Sequence, residues 1–298
     1  MRKYIFSLIY GLLLSAFTVY ILLYTYVLPQ KGVAVVNPTE EEKTNLSANT
    51  EKISVTNDTY VDGNIKITLS THRVDNTTVY VADVVLARPS LLKTALAGDR
   101  YGRNIKEKTS EIAEAKDAIL AINGDYYSAR EGCVLRNGTL YRGFDGYSED
   151  ESLVIYSDGR TEIVTAANGD AEALKTAGAM QILSFGPALV EDGQISVTTS
   201  DEVDKAMADN PRTAFVYYNS NHYAFVVGDG RTSESKGLSL YRLAEFLQSL
   251  GAVHAYNLDG GGSSTMYFNG RVVNNPTTNG KRISEREVSD IVYIGYDY

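Results

Sequence analysis

Three short segments hold the residues whose types and spacing could do chemistry. The first is Asn257-Leu258-Asp259-Gly260-Gly261-Gly262-Ser263-Ser264-Thr265, set between strand-like runs at 252–256 and 265–268. Three successive glycines let the backbone approach a ligand closely and can turn N–H groups toward an anion, and the hydroxyls of Ser263, Ser264 and Thr265 add short donors. A phosphate suits such a cradle. The loop lacks the Gly-Lys-Ser/Thr ending of a Walker loop, and no helical pattern follows it as a dinucleotide fingerprint requires. Standing alone, it could also be a flexible turn. The second segment, Asn123-Gly124-Asp125-Tyr126-Tyr127, closes the apolar run 118–122. It joins an amide, a carboxylate and two aromatic rings, a mixture that suits carbohydrate. Rings cover apolar sugar faces, and a carboxylate bonds hydroxyls or serves as acid, base or nucleophile. The tyrosines are equally readable as packing, since the chain has 22 of them. The third set is Arg212, Arg231 and Arg286, each at the edge of a strand-like run. A guanidinium fork donates two parallel hydrogen bonds to phosphate oxygens, although each arginine taken singly is as readable as a surface ion-pair partner.

Composition narrows the classes. The 298 residues carry a net charge of −9, which gives no electrostatic footprint for a nucleic-acid backbone. One cysteine, Cys133, excludes an intrachain disulfide and a cysteine-cluster metal site, and reads as a small buried hydrophobe. His72, His222 and His254 are scattered without metal-ligand spacing, and no Gly-x-Ser-x-Gly elbow supports a Ser-His-Asp triad. No cofactor is required by these residues. Asp125, Asp259 and Asn123 could hold a hard cation such as calcium or another divalent ion.

The elements that must position these groups are mostly strands. Residues 53–86 alternate apolar and polar side chains, as in Ile65-Lys66-Ile67-Thr68-Leu69, and Asn137-Gly138, Asp158-Gly159 and Asn269-Gly270 supply the positive φ of hairpin turns. Helices are expected at 109–117, 170–176 and 239–250, the last with Leu240, Leu243, Phe246, Leu247 and Leu250 on one face before Gly251. The class is α+β: a strand-rich mixed-sheet core with a few packed helices. A single transmembrane helix precedes it. Arg2 and Lys3 lead into an uncharged apolar run from Tyr4 to Leu28, which reads as an uncleaved anchor with a cytoplasmic N-terminus and the rest extracytoplasmic. The competing reading is a signal peptide cut near Ser15-Ala16-Phe17. The expected organisation is an anchor at 1–29, a polar stalk at 30–57 containing the acidic run Glu40-Glu41-Glu42, and one domain at 58–298.

Taken in order, Asn123-Gly124-Asp125-Tyr126, Pro211-Arg212-Thr213-Ala214, Asp229-Gly230-Arg231, the 257–265 loop and Glu285-Arg286 resemble the phosphodiester glycosidase family, from about Ile53 to the C-terminus. The resemblance implies a hydrolase that cuts the C1–O bond between a sugar and a phosphodiester in a surface glycan, exopolysaccharide or related polymer. It also implies roles. Asp125 and Asp259 become candidates for nucleophile or general base, with Glu285 in reserve. Arg212, Arg231 and Arg286 would hold phosphate oxygens with the amides of Gly260, Gly261 and Gly262. Asn123, Asn257, Ser263 and Ser264 would orient sugar or phosphate. The alternative is a non-catalytic glycan-binding or polymer-assembly protein that keeps the pocket without turnover.

Overall fold

A computed structural model describes residues 2–30, 32–35, 53–201 and 209–296. The acidic run 40–42 lies outside the described residues.

Three sheets share one apolar core. The largest has nine strands, with Thr77–Leu86, His222–Gly228, Arg212–Asn219 and His254–Leu258 adjacent at its centre. Alternation sorts its residues. On Arg212–Asn219, Phe215 faces the shared core while Ala214 and Val216 face the opposite side, where Leu240, Leu243, Ala244 and Leu247 of the helix Leu240–Ser249 cover them. Ser239 caps that helix, accepting from the Arg242 N–H at 3.2 Å. The apolar stripe expected from the sequence is therefore what buries the sheet's outer face.

The second sheet, of five strands, places Leu120–Asn123 between Met266–Phe268 and Asp290–Ile294. Leu120, Ile122 and Val292 enter the shared core, and the short helix Thr109–Ala115 covers the other face through Ile112 and Ala113. The third sheet, also five-stranded, includes Val134–Arg136, Glu151–Tyr156 and Ala179–Leu183. Leu153, Ile155 and Leu183 reach the shared core, and Cys133 packs on its far face. Burial pushes the Cys133 thiol up to about 12, so it is a packing group and not a nucleophile. Each fully buried side chain of this core, Phe215 or Leu120 for example, contributes about 1.5–3 kcal/mol.

The hairpin turns fall where the dipeptides placed them: Asn137 and Gly138 have φ of 47° and 77°, and Asn269 and Gly270 have 45° and 85°. The helix Arg2–Tyr26 is long and apolar enough to cross a membrane, with a mean hydropathy of 1.9 over Leu8–Tyr26, and its described side chains are almost all exposed. The segment expected to act as a stalk behaves differently at its start: Val33–Ala34 pairs antiparallel with Arg100–Tyr101.

Candidate active site

Strand ends from two sheets meet at one place. Asn123, last in its strand, donates from Nδ2 to the Asp259 carbonyl at 2.6 Å, and the Asp259 N–H donates to the Gly124 carbonyl at 3.1 Å. Asn123 Oδ1 accepts from Thr213 Oγ1 at 2.8 Å and from the Thr265 N–H at 3.2 Å. Fully buried and bonded through both ends of its amide, Asn123 is a latch that sets the backbone of Asp259. It does not touch the cleft.

The cleft, of about 300 Å³, opens above this junction and is lined by Tyr126, Arg130, Phe185, Asn210, Arg212, Arg231, Asn257, Asp259, Gly260, Gly261 and Arg286 among others. Its volume is at the small end of the range for small-molecule ligand sites. Four of the lining side chains are guanidiniums and one is a carboxylate. The three arginines chosen from sequence do converge. Arg212 is buried with Nε donating to the Leu238 carbonyl at 2.8 Å. Arg231 is held through Asn210 Oδ1 at 3.0 and 3.2 Å and the Thr278 carbonyl at 2.6 Å. Partial burial, then the like charges of Arg286 and Arg212, push the Arg231 guanidinium below its ordinary value. Guanidiniums gathered in one cleft give it a positive charge that suits an anion.

Asp259 faces this charge. Burial pushes its carboxyl up to about 6, against the opposing pull of a Ser263 hydrogen bond and of Arg286 and Arg130. Asn257 stands two residues earlier on the same strand face. Its Nδ2 donates to the Gly186 carbonyl at 2.7 Å, while its buried Oδ1 has no partner. That leaves a fixed acceptor at the cleft wall.

The glycines act otherwise than expected. The N–H of Gly261 donates to the Pro211 carbonyl at 2.8 Å, and those of Ser263 and Ser264 donate to Gly260 and Gly261 at 3.3 Å. The Gly261 amide is thus taken by the neighbouring strand's Pro211 carbonyl, and those of Ser263 and Ser264 by the turn Gly261–Ser263 itself. What the glycines supply is room. A Cβ on Gly261, whose φ is +62°, would lie 2.9 Å from Arg231 Nη2, and one on Gly262 would lie 2.9 Å from Arg286 Nη2. Gly262 and Ser264 lie beneath the cleft lining, and Ser263 serves Asp259.

Two residues expected to be catalytic sit elsewhere. Asp125 is fully buried below the cleft, its Oδ1 accepting from Arg136 Nη2 at 2.7 Å and the Tyr127 N–H at 3.1 Å, its Oδ2 from the Ser184 N–H at 2.7 Å. Arg136 also donates to Asp290 at 2.9 and 3.2 Å, which completes a buried Asp125–Arg136–Asp290 triad. Burial and the Asp125 charge push the Asp290 carboxyl up while Arg136 pulls it back. Held by three protein donors and fully buried, this Asp125 carboxylate does not reach the cleft. Glu285 accepts from the N–H and hydroxyl of Ser110 at 3.0 and 2.6 Å, at the start of the helix Thr109–Ala115, and does not line the cleft.

Other expectations meet the same geometry. The cation set Asp125, Asp259 and Asn123 does not converge, because Asp125 and the Asn123 amide are taken by protein partners and the cleft is cationic. Among the described residues no group of three or more His, Cys, Asp or Glu side chains is placed to hold a metal. His222 bonds Asp83 at 2.6 Å and His254 bonds Thr161 at 2.7 Å, away from the cleft. Asp229 is a brace for Asn274 and Asn275 at 3.0 Å. Sequence reasoning missed Arg130, which stacks 4.2 Å from the Phe185 ring, and Asn210, which orients Arg231. A lone arginine in the loop 129–132 carries no signal of its own.

With this geometry in place, comparison with known proteins decides the family. The phosphodiester glycosidase family model matches residues 116–295, a span that contains the whole Asn123–Asp259 junction. This chain belongs to the phosphodiester glycosidase family. The chain is 28% identical over 201 residues to the SPbeta prophage-derived uncharacterized protein YomE of Bacillus subtilis (strain 168), covering 66% of this chain and 31% of that one. It is also 28% identical over 185 residues to the N-acetylglucosamine-1-phosphodiester alpha-N-acetylglucosaminidase of Homo sapiens, covering 56% and 35% respectively. The chain thus spans about a third of the length of these relatives. The zebrafish N-acetylglucosamine-1-phosphodiester alpha-N-acetylglucosaminidase catalytic domain, solved auto-inhibited by its pro-peptide, has the same fold. Its TM-score is 0.60 at 20% identity, over 89% of this chain and 96% of that one. A hypothetical protein from Synechocystis shares the fold at a TM-score of 0.56 and 14% identity, over 83% and 64%. Phosphodiester glycosidases therefore supply the architecture in which Asp259 and the arginines sit.

Proposed function

We propose that this protein is a membrane-anchored, extracytoplasmic hydrolase that cleaves the glycosidic C1–O bond of a sugar-1-phosphodiester in a surface glycan or polymer. The observation that carries the reading is one carboxylate, Asp259, facing four guanidiniums in a single cleft of an otherwise acidic chain. In this reaction the C1–O bond breaks with its electron pair leaving on the phosphate, which becomes a phosphomonoester with one more negative charge. Arg212, Arg231, Arg286 and Arg130 meet that charge as it grows, and fixed donors of this kind are the largest single contribution in many enzymes. Phosphate is a good leaving group, so a second carboxylic acid is not needed to protonate it. Asp259 supports the positive charge that develops at C1 and serves as nucleophile or as the base for the entering water, whose oxygen ends on the sugar.

The names of the mammalian relatives point to N-acetylglucosamine as the sugar. The orphan Asn257 Oδ1 is an acceptor for a hydroxyl or amide N–H of that sugar, and the Phe185 ring offers it an apolar wall. Hydrolysis of a simple sugar-1-phosphodiester in ¹⁸O-labelled water tests the proposal. Label in the sugar supports C1–O cleavage. Label in the phosphate, or no hydrolysis, overturns it.

A further inference from the structure

The segment that joins the apolar helix to the domain is fastened rather than free. Asn104 Nδ2 donates to the Leu28 carbonyl at 3.1 Å, the Gln30 N–H donates to the Arg103 carbonyl at 3.0 Å, and the Val35 N–H donates to the Asp99 carbonyl at 3.0 Å. Between them Val33 pairs with Tyr101, and Val35 packs against the cluster of Leu96, Tyr127 and Val134. Gly32 passes so close to residues 101–102 that a Cβ there would lie 2.9 Å from the Tyr101 carbonyl, and Gly102 is the matching glycine opposite. Paired strands, facing glycines and an apolar plug make a built joint.

This joint adjoins the cleft. Lys106, two residues beyond Asn104, donates from Nζ to the Tyr126 hydroxyl at 3.1 Å, and Tyr126 lines the cleft. The path from the Leu28 carbonyl through Asn104 and Lys106 to Tyr126 is two side chains and two backbone steps, at most about 25 Å. A free stalk of the expected length, 30–57, would allow up to about 90 Å. The same stretch presents exposed Arg100 and Arg103 beside the end of the apolar helix. Of its acids, Asp99 is paired with Lys116 at 2.6 Å and Glu107 accepts the Gly98 N–H at 2.8 Å. Cations at this position attract anionic headgroups.

We propose that residues 28–30 and 32–35 clamp the domain against the bilayer, so that the protein acts on glycosyl phosphodiesters rooted at the surface of its own membrane and not on polymer farther out. The proposal rests on the apolar helix being a retained span and on the phosphodiester reading above.

The test uses the full chain in vesicles of phosphatidylcholine and phosphatidylglycerol. A fluorophore on Glu131→Cys, an exposed position beside the cleft, reports energy transfer to acceptor lipids, and the buried Cys133 stays unlabelled. A second protein carries an insertion of about 12 Gly/Ser residues after Pro29, which adds about 20 Å of root-mean-square reach. Strong transfer that falls by about half or more in the insertion protein is expected, and equal transfer in the two overturns the clamp. Hydrolysis is then compared for a sugar-1-phosphodiester borne directly on a lipid, the same group on a long polymer tether, and a soluble diester. The near substrate should be cut about tenfold faster than the tethered one, the ratio should shrink toward one in the insertion protein, and the soluble rate should stay unchanged. Equal near and far rates in the unmodified protein overturn the proposal. Failure to cut even the soluble diester, with transfer as expected, instead overturns the phosphodiester reading and leaves the clamp standing.

Discussion

Two Asn-x-Asp tripeptides end strands of different sheets, and the protein uses them in opposite ways. In Asn123-Gly124-Asp125 the carboxylate turns inward, shares one arginine with Asp290 and has both oxygens bonded. In Asn257-Leu258-Asp259 it turns toward a cleft holding four arginines. Around Asp125 carboxylates outnumber guanidiniums, and around Asp259 the reverse holds. The first arrangement fixes three strands to one another, while the second leaves positive charge uncompensated until a ligand brings an anion. Residue type and local spacing are the same in both. What separates a brace from a reactive group is which partners the fold delivers, and Asn123 couples the two by holding the Asp259 backbone.

The largest effect that would break this contrast is at Asp259. Replacement Asp259→Asn removes the carboxylate and keeps the shape, so hydrolysis of a sugar-1-phosphodiester should fall by about 10³-fold while far-ultraviolet circular dichroism stays unchanged. If turnover persists near the original rate, Asp259 is not the reactive group and the carboxylate side of the contrast fails.

The reciprocal change falls on the brace. Arg136→Ala leaves the Asp125 and Asp290 carboxylates buried without a cation, which costs about 3–5 kcal/mol. For a domain of this size that lowers the melting temperature by roughly 10 °C. Calorimetry near pH 7 checks it, and a drop of only a degree or two would mean that the triad is not what holds the strand ends.

A smaller effect sharpens the cationic side. Arg286→Gln should lower kcat/KM by about 10- to 100-fold, because one donor to the phosphate is lost. Its melting temperature should hold or rise, since Arg286 repels Arg231. An arginine that was merely a surface ion-pair partner would show neither change.

Much of the frame was legible in the chain. The Asn-Gly turns and the Leu240, Leu243, Leu247 stripe act through local φ requirements and helical period, and both fall where expected. The meeting of Arg212, Arg231 and Arg286 rested on the family resemblance, because nothing local says that three arginines spread over 75 residues share a cleft. Arg136 was invisible for the same reason. It ends an apolar strand beside an Asn-Gly turn and reads as a surface residue, yet its partner Asp290 lies 154 residues away. Polar composition over 30–57 says nothing about Val33–Ala34, two residues whose pairing is set by the distant Arg100–Tyr101 edge.

The smallest expected effect concerns stability rather than rate. Asp259 has its carboxyl raised to about 6 in the folded protein, from an ordinary value of 3.8, mainly by burial. Between these values the folded state binds a proton that the unfolded state has released, so stability falls as pH rises through this window and levels off above it. The penalty near neutral pH is on the order of 3 kcal/mol. Asp259→Asn carries no such charge, so it should be more stable than the unchanged protein by about that amount above pH 6, with the difference fading to nothing below about pH 4. Urea titrations at pH 4 and pH 7.5 measure it. A gain that is equal at both values would trace to packing, whereas a gain confined to the higher pH shows that the cleft holds a carboxylate it would rather protonate. Asp125→Asn, which removes a charge already satisfied by Arg136, should destabilise at pH 7.5, and that opposite sign at the sister tripeptide would complete the contrast.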